Sequence, residues 1–110
     1  MRTINRIVKI YKIEGFKLFV LFNNGESRVI DFEKLFKLWN IGVNDIEFEM
    51  SSNMDSFQKV ILKDGTLVWE DLRISNTDDE GNQIETSYDI DPIVLYENSI
   101  ADEGRQLELG

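Results

Sequence analysis

The sequence predicts a single α+β domain: an antiparallel sheet built from two or three hairpins, one main helix at about residues 31–40, and a short C-terminal helix at about residues 92–98. Three observations carry this expectation. Residues 16–31 (FKLFVLFNNGESRVID) and 57–71 (FQKVILKDGTLVWED) each place two apolar arms around a turn pair, Asn24-Gly25 in the first and Asp64-Gly65 in the second. Between them, Phe32, Leu35, Phe36 and Trp39 recur at helical spacing behind Asp31, with Glu33, Lys34 and Lys37 off that stripe. At 110 residues the chain suits one core and is too short to bury two.

Residues 4–13 (INRIVKIYKI) mix β-branched side chains with Lys and Tyr, which suits a strand with Lys9 and Lys12 facing solvent or an edge. Glu14-Gly15 turns the chain into the first hairpin. A two-residue type I′ turn at Asn24-Gly25 would pair Asn23 with Glu26, Phe22 with Ser27, Leu21 with Arg28 and Val20 with Val29. One face would then carry Val20, Phe22 and Val29, and the other Phe19, Leu21 and Ile30. Both faces are apolar, although an antiparallel hairpin usually turns one face to water. Asp31 is placed to cap the helix, and Asn40 or Gly42 to stop it. Residues 43–50 are ambiguous: DIEFEM alternates like an edge strand, but its flanks are acidic and polar, and 51–57 suggest a short helical turn with a Ser cap.

The second turn pairs Lys63 with Thr66, Leu62 with Leu67, Ile61 with Val68 and Val60 with Trp69. Beyond it, Leu72 and Ile74 lead through a polar turn (NTDDEGN) to Ile84 and Tyr88, a protruding polar hairpin. Asp91 is a good N-cap and Pro92 fits the first helical position. The domain is expected to span residues 1–99, with 100–110 a flexible tail.

Composition narrows function more by exclusion than by assignment. Neither Cys nor His occurs, which removes disulfides, thiol catalysis, thiolate metal sites and the commonest general base. Ser51, Ser52, Ser56 and Ser99 have no histidine to activate them, and no Gly-rich phosphate loop is present. Asn76, Asp78, Glu80 and Gly81 match the start of a calcium loop, but Ser87 falls where a bidentate carboxylate is needed. Asp89 and Asp91 form a pair that capping by Asp91 already explains. No cofactor is expected.

Charge is unevenly distributed over the net −9. Residues 1–17 hold Arg2, Arg6, Lys9, Lys12 and Lys17 against Glu14, an excess of four positive charges, so the remainder carries thirteen net negatives. Such an acidic body disfavours nucleic acid. It suits a solvated surface or a docking partner. The N-terminus has no signal-like apolar run, and no stretch approaches the ~20 apolar residues of a membrane span; a cytoplasmic protein is expected.

The chain resembles a bacterial family, the domain of unknown function 2442. The likeness lies in Phe22-Asn23-Asn24-Gly25-Glu26 with Asp31, in Phe57, in Val68-Trp69, and in Asp89-Ile90-Asp91-Pro92 with Leu95-Tyr96. Together these motifs cover most of residues 5–97. Family members usually pass from the tryptophan to Asp-x-Asp-Pro within a few residues, whereas residues 70–88 intervene here. The resemblance implies a small α+β domain without an assigned activity, similar in arrangement to toxin–antitoxin or regulator pairs, and it carries over no catalytic residue.

These readings lead to a non-enzymatic protein-interaction module, one half of a two-gene toxin–antitoxin-like or regulatory pair. Its partner would be a small protein or a second copy. Trp69, Phe19, Leu21, Ile61, Val68 and Tyr96 are the candidate interaction or scaffold residues. The alternatives are a small carboxylate or metal-dependent enzyme, and nucleic-acid binding through the basic N-terminal strand.

Overall fold

The computed structural model describes residues 4–103. The α+β class holds, with one change of plan: the strands form two antiparallel sheets rather than one. The first contains β1 (Ile7–Glu14), β2 (Lys17–Phe22), β3 (Ser27–Asp31) and β7 (Ser99–Ala101), in the order β1-β2-β3-β7. The second contains β4 (Ile61–Lys63), β5 (Thr66–Thr77) and β6 (Gln83–Asp89), in sequence order. Helices α1 (Phe32–Trp39), α2 (Glu47–Ser52), α3 (Met54–Phe57) and α4 (Pro92–Glu97) link them.

The two turn pairs close differently. Asp64 and Gly65 both take positive φ, +53° and +80°, so the second hairpin has the expected I′ turn. Its ladder runs Ile61–Val68, Leu62–Leu67 and Lys63–Thr66, as read from the sequence. Val60, expected opposite Trp69, precedes β4 and stays outside the ladder.

In the first hairpin only Gly25 has positive φ. Phe22 N–H donates to Glu26 C=O at 2.9 Å and Gly25 N–H to Phe22 C=O at 3.0 Å, closing a three-residue loop. The cause is side-chain competition. Asn24 Oδ1 accepts from Glu26 N–H at 3.0 Å, and Asn23 is tied to β1 through Arg6. The ladder therefore slips by one residue, to Leu18–Ile30, Phe19–Val29, Val20–Arg28 and Leu21–Ser27. A one-residue slip exchanges faces: Ile30 joins Leu18, Val20 and Phe22 inside, and Val29 joins Phe19 and Leu21 outside.

Helix α1 forms as predicted. Asp31 Oδ1 accepts from Glu33 N–H at 3.1 Å and Lys34 N–H at 3.4 Å, and Asn40 stops the helix in the left-handed region. Residues 47–52, left open by the sequence, form a helix and not the edge strand that the alternation suited. Asn53, rather than a serine, caps α3. Both α2 and α3 drop one apolar side chain, Met50 and Phe57, into the interior. Local alternation at DIEFEM loses to this tertiary packing.

Strand β5 bends after Trp69. Trp69 pairs with Tyr88 and Arg73 with Ser87, so Glu70, Asp71 and Leu72 have no partner opposite and form a bulge. Beyond it β5 and β6 project as the expected polar arm. At the C-terminus, Asp91 Oδ1 accepts from Ile93 N–H at 2.9 Å and α4 begins at Pro92. Ile100, expected to begin a flexible tail, instead sits in β7 opposite Val29. Most of that tail, residues 104–110, lies outside the described residues.

The inner faces of both sheets and the four helices share one core. Its centre is an aromatic cluster of Phe16, Phe32, Phe36, Phe57, Trp69 and Tyr88, with neighbouring rings 5.1–6.2 Å apart. The sheets meet where Ile7 N–H donates to Gly65 C=O at 2.8 Å.

Candidate interaction surface

The six residues singled out from sequence do not share one surface. Trp69 is interior, 1% exposed, with Nε1–H donating to the Phe57 carbonyl at 2.8 Å. It is scaffold, because buried indole needs both packing and a hydrogen-bond acceptor. Val68 is buried on the opposite face of β5, beside the more exposed Ile61. Phe19 and Leu21 are half-buried on the outer face of the first sheet, with the Lys12 ammonium 4.4 Å from the Phe19 ring centroid.

Tyr96 belongs to a small network that fastens α4 to the first hairpin. Its ring packs edge-on against Phe22 at 5.0 Å, and its hydroxyl donates to Glu26 Oε2. The Arg28 guanidinium lies 4.6 Å from the same ring, bonds Glu26 Oε1 at 3.1 Å, and donates to the Ser99 carbonyl at 2.8 Å. The Tyr96 hydroxyl, aided by Asn24 and Arg28, holds the Glu26 carboxyl below its ordinary value, against an opposing desolvation effect. Every polar group here has a partner, so the network reads as a clasp rather than a ligand site.

The carboxylate clusters are similarly occupied. Asp78 Oδ1 accepts from Glu80 and Asn82 N–H at 3.0 and 2.8 Å, making NTDDEGN a self-bonded turn. Asp91 caps α4, and Asp89 lies exposed on β6. Among the described residues no group of three or more acidic side chains is arranged to hold a metal ion. On the far side of the core, Tyr88 donates to Glu47 Oε2 at 3.0 Å; burial first and the Glu47 charge second push its phenol above the ordinary range.

What the fold does assemble is a cleft of about 280 Å³ between α1 and the outer face of β2, β3 and β7. Its apolar lining is Val29, Leu35, Leu38 and Ile100. Lys17 and Lys34 stand on it with exposed side chains, and neither forms an ion pair among the described residues. The lining carboxylate, Asp31, is committed to capping α1. Leu38 is 70% exposed and Ile100 65%. Sequence reasoning missed these two. Leu38 had a signal, since it falls off the Phe32-Leu35-Phe36-Trp39 stripe and so turns away from the core. Ile100 had none, because its strand exists only by pairing with β3.

No helix among the described residues is long and apolar enough to cross a membrane. No family model matches the chain, and neither do any curated proteins or solved structures.

Proposed function

We propose that the chain is a cytoplasmic, non-enzymatic protein-interaction module, one member of a two-gene regulatory pair, and that the cleft beside α1 is where it binds. The observation that carries this reading is the cleft's combination of exposed apolar side chains with unpaired lysines. Of the seven lysines only Lys12 and Lys59 form ion pairs among the described residues; Lys17 and Lys34 are the two of the remaining five that flank the apolar cleft. Desolvated apolar contact supplies affinity and the ammonium groups select an acidic partner. Kinship with the domain of unknown function 2442 is part of this proposal, supported by Trp69, by the capping Asp91-Pro92 and by Tyr96 against Phe22.

Co-expression of the chain with the products of its neighbouring genes tests the reading. One of them should co-purify in fixed stoichiometry with the wild-type chain and be lost with the Lys34→Glu/Leu38→Asp double variant. Absence of any such companion, or retention by the double variant, would refute it.

A further inference from the structure

We infer that the same cleft takes a second copy of this chain: the acidic stretch of residues 43–49 of one protomer, which runs from the α1–α2 loop into the first turn of α2, seats in the cleft of the other, and reciprocally. This rests on the cleft being a binding surface and names its occupant. Three large apolar side chains are the most exposed among the described residues: Val43 at 73%, Leu38 at 70% and Ile100 at 65%. Two line the cleft. The third begins the acidic stretch, which also carries the exposed Phe48 in the first turn of α2. Scattered apolar side chains need no explanation, and Val8, Met54 and Ile84 are of that kind; the three most exposed instead fall in two places, the cleft and residues 43–49.

Charge complementarity points the same way. Residues 43–49 (VNDIEFE) hold Asp45, Glu47 and Glu49 and no cation. None of the three is in an ion pair among the described residues. Each accepts a local hydrogen bond, Asp45 Oδ2 from Gly42 N–H, Glu47 Oε2 from Tyr88 and Glu49 Oε1 from Ser56. Asp45 and Glu49 are exposed and Glu47 half-buried, so the stretch presents its negative charge to the surface. The cleft supplies Lys17 and Lys34 around an apolar floor, and the acidic stretch supplies carboxylates around Val43 and Phe48. Because every copy carries both halves, a two-fold axis would satisfy both contacts at once and close the assembly at two chains. A partner protein would then exchange for the second copy at the same surface.

Sedimentation equilibrium of the full chain tests this. The apparent mass should rise with concentration from 12.8 kDa toward twice that value and stop there. Leu38→Asp places a carboxylate against the incoming apolar and acidic side chains and should weaken association by at least about tenfold, ~1.4 kcal/mol. Lys34→Glu and Glu49→Lys should each weaken self-association, and an equimolar mixture of the two should regain it. In the mixed pair one contact sets the introduced carboxylate of the first variant against the introduced ammonium of the second. The other contact keeps the wild-type Lys34 and Glu49, so both are attractive. An unfolded variant could not give that rescue.

A constant mass of 12.8 kDa up to millimolar chain would overturn the inference and leave partner capture standing. Self-association indifferent to Leu38→Asp and Lys34→Glu would overturn it by moving the contact elsewhere. Growth past two chains would overturn the reciprocal geometry. Conversely, a partner retained by the cleft variants would refute the proposed function while leaving a measured dimer intact.

Discussion

Removing the Trp69 side chain is the most direct perturbation of the scaffold. Its ring lies 5.8 Å from Phe32 and 5.9 Å from both Phe57 and Tyr88, and Nε1–H satisfies the Phe57 carbonyl. Trp69→Ala loses the apolar transfer energy and leaves a cavity, ~3–5 kcal/mol together. It also removes one of two donors to the Phe57 carbonyl, which keeps Val60 N–H at 3.3 Å, so the lost hydrogen bond adds only its net ~0.5–1.5 kcal/mol. Against the ~5–15 kcal/mol of a typical domain, that is a large share of total stability. Trp69→Phe keeps an aromatic ring but loses the donor and part of the buried volume, and should cost about 1–3 kcal/mol. Urea unfolding followed by far-ultraviolet circular dichroism reports both, with the slope held constant as a check on two-state behaviour. A loss below about 1 kcal/mol for Trp69→Ala would place the ring outside the core and refute the reasoning.

Four other outcomes follow from the structure. Gly65 and Gly25 both have positive φ, but of these two only Gly65 would bring a Cβ against other atoms, 2.8 Å from Arg6 Cβ. Gly65→Ala should therefore cost more than the ~1–2 kcal/mol of backbone strain expected for Gly25→Ala, as read by paired thermal melts. Asp31→Ala removes the α1 cap and should cost ~0.5–2 kcal/mol by urea unfolding. Burial and Glu47 raise the folded-state pKa of Tyr88 above its unfolded value. Its contribution is therefore complete below about pH 10, where an unperturbed tyrosine titrates, and is lost as pH rises through the folded pKa; Tyr88→Phe should flatten that alkaline loss in melts across the range. Glu26 is shifted the other way, chiefly by Tyr96, so its contribution is present above the unfolded carboxylate value and lost as pH falls through the folded pKa. Tyr96→Phe should shrink that acid-side loss.

Legibility in the sequence followed how local the determining interaction is. Helix α1 was readable because its cap, stripe and stop all lie within residues 31–40, and Asp31 and Asn40 act on their own neighbours. The Asp64-Gly65 turn and the Asp91-Pro92 start were readable for the same reason. Residues 47–52 were not, since Met50 is decided by the core it enters and not by the alternation around it. The division into two sheets was also hidden. It depends on the bulge after Trp69 and on the close approach of Ile7 to Gly65, features that connect residues far apart in sequence. Of the candidate surface, the excess of N-terminal cations was visible, whereas the lining supplied by β7 was not.

The first hairpin shows how a small local choice propagates to the proposed binding surface. Had Asn24 taken positive φ, the two-residue turn would have paired Val20 with Val29 and turned Val29 inward. Instead Asn24 spends its side chain on Glu26, Gly25 alone carries the left-handed geometry, and the ladder slips. Val29 is thereby set on the outer face, opposite Ile100 of β7 and beside Leu35 and Leu38. The same slip pairs Lys17 with Asp31, the residue that caps α1 and so fixes where Lys34 and Leu38 emerge. The apolar floor and the cationic rim of the cleft thus descend from one turn. Replacing Asn24 with Gly, which frees Glu26 N–H and favours the I′ geometry, should destabilise the native register. By nuclear Overhauser contacts, the Val29–Ile100 pairing should weaken before the core contacts of Leu18 and Phe22 do. Loss of both together would show that the outer face has no register independent of the core.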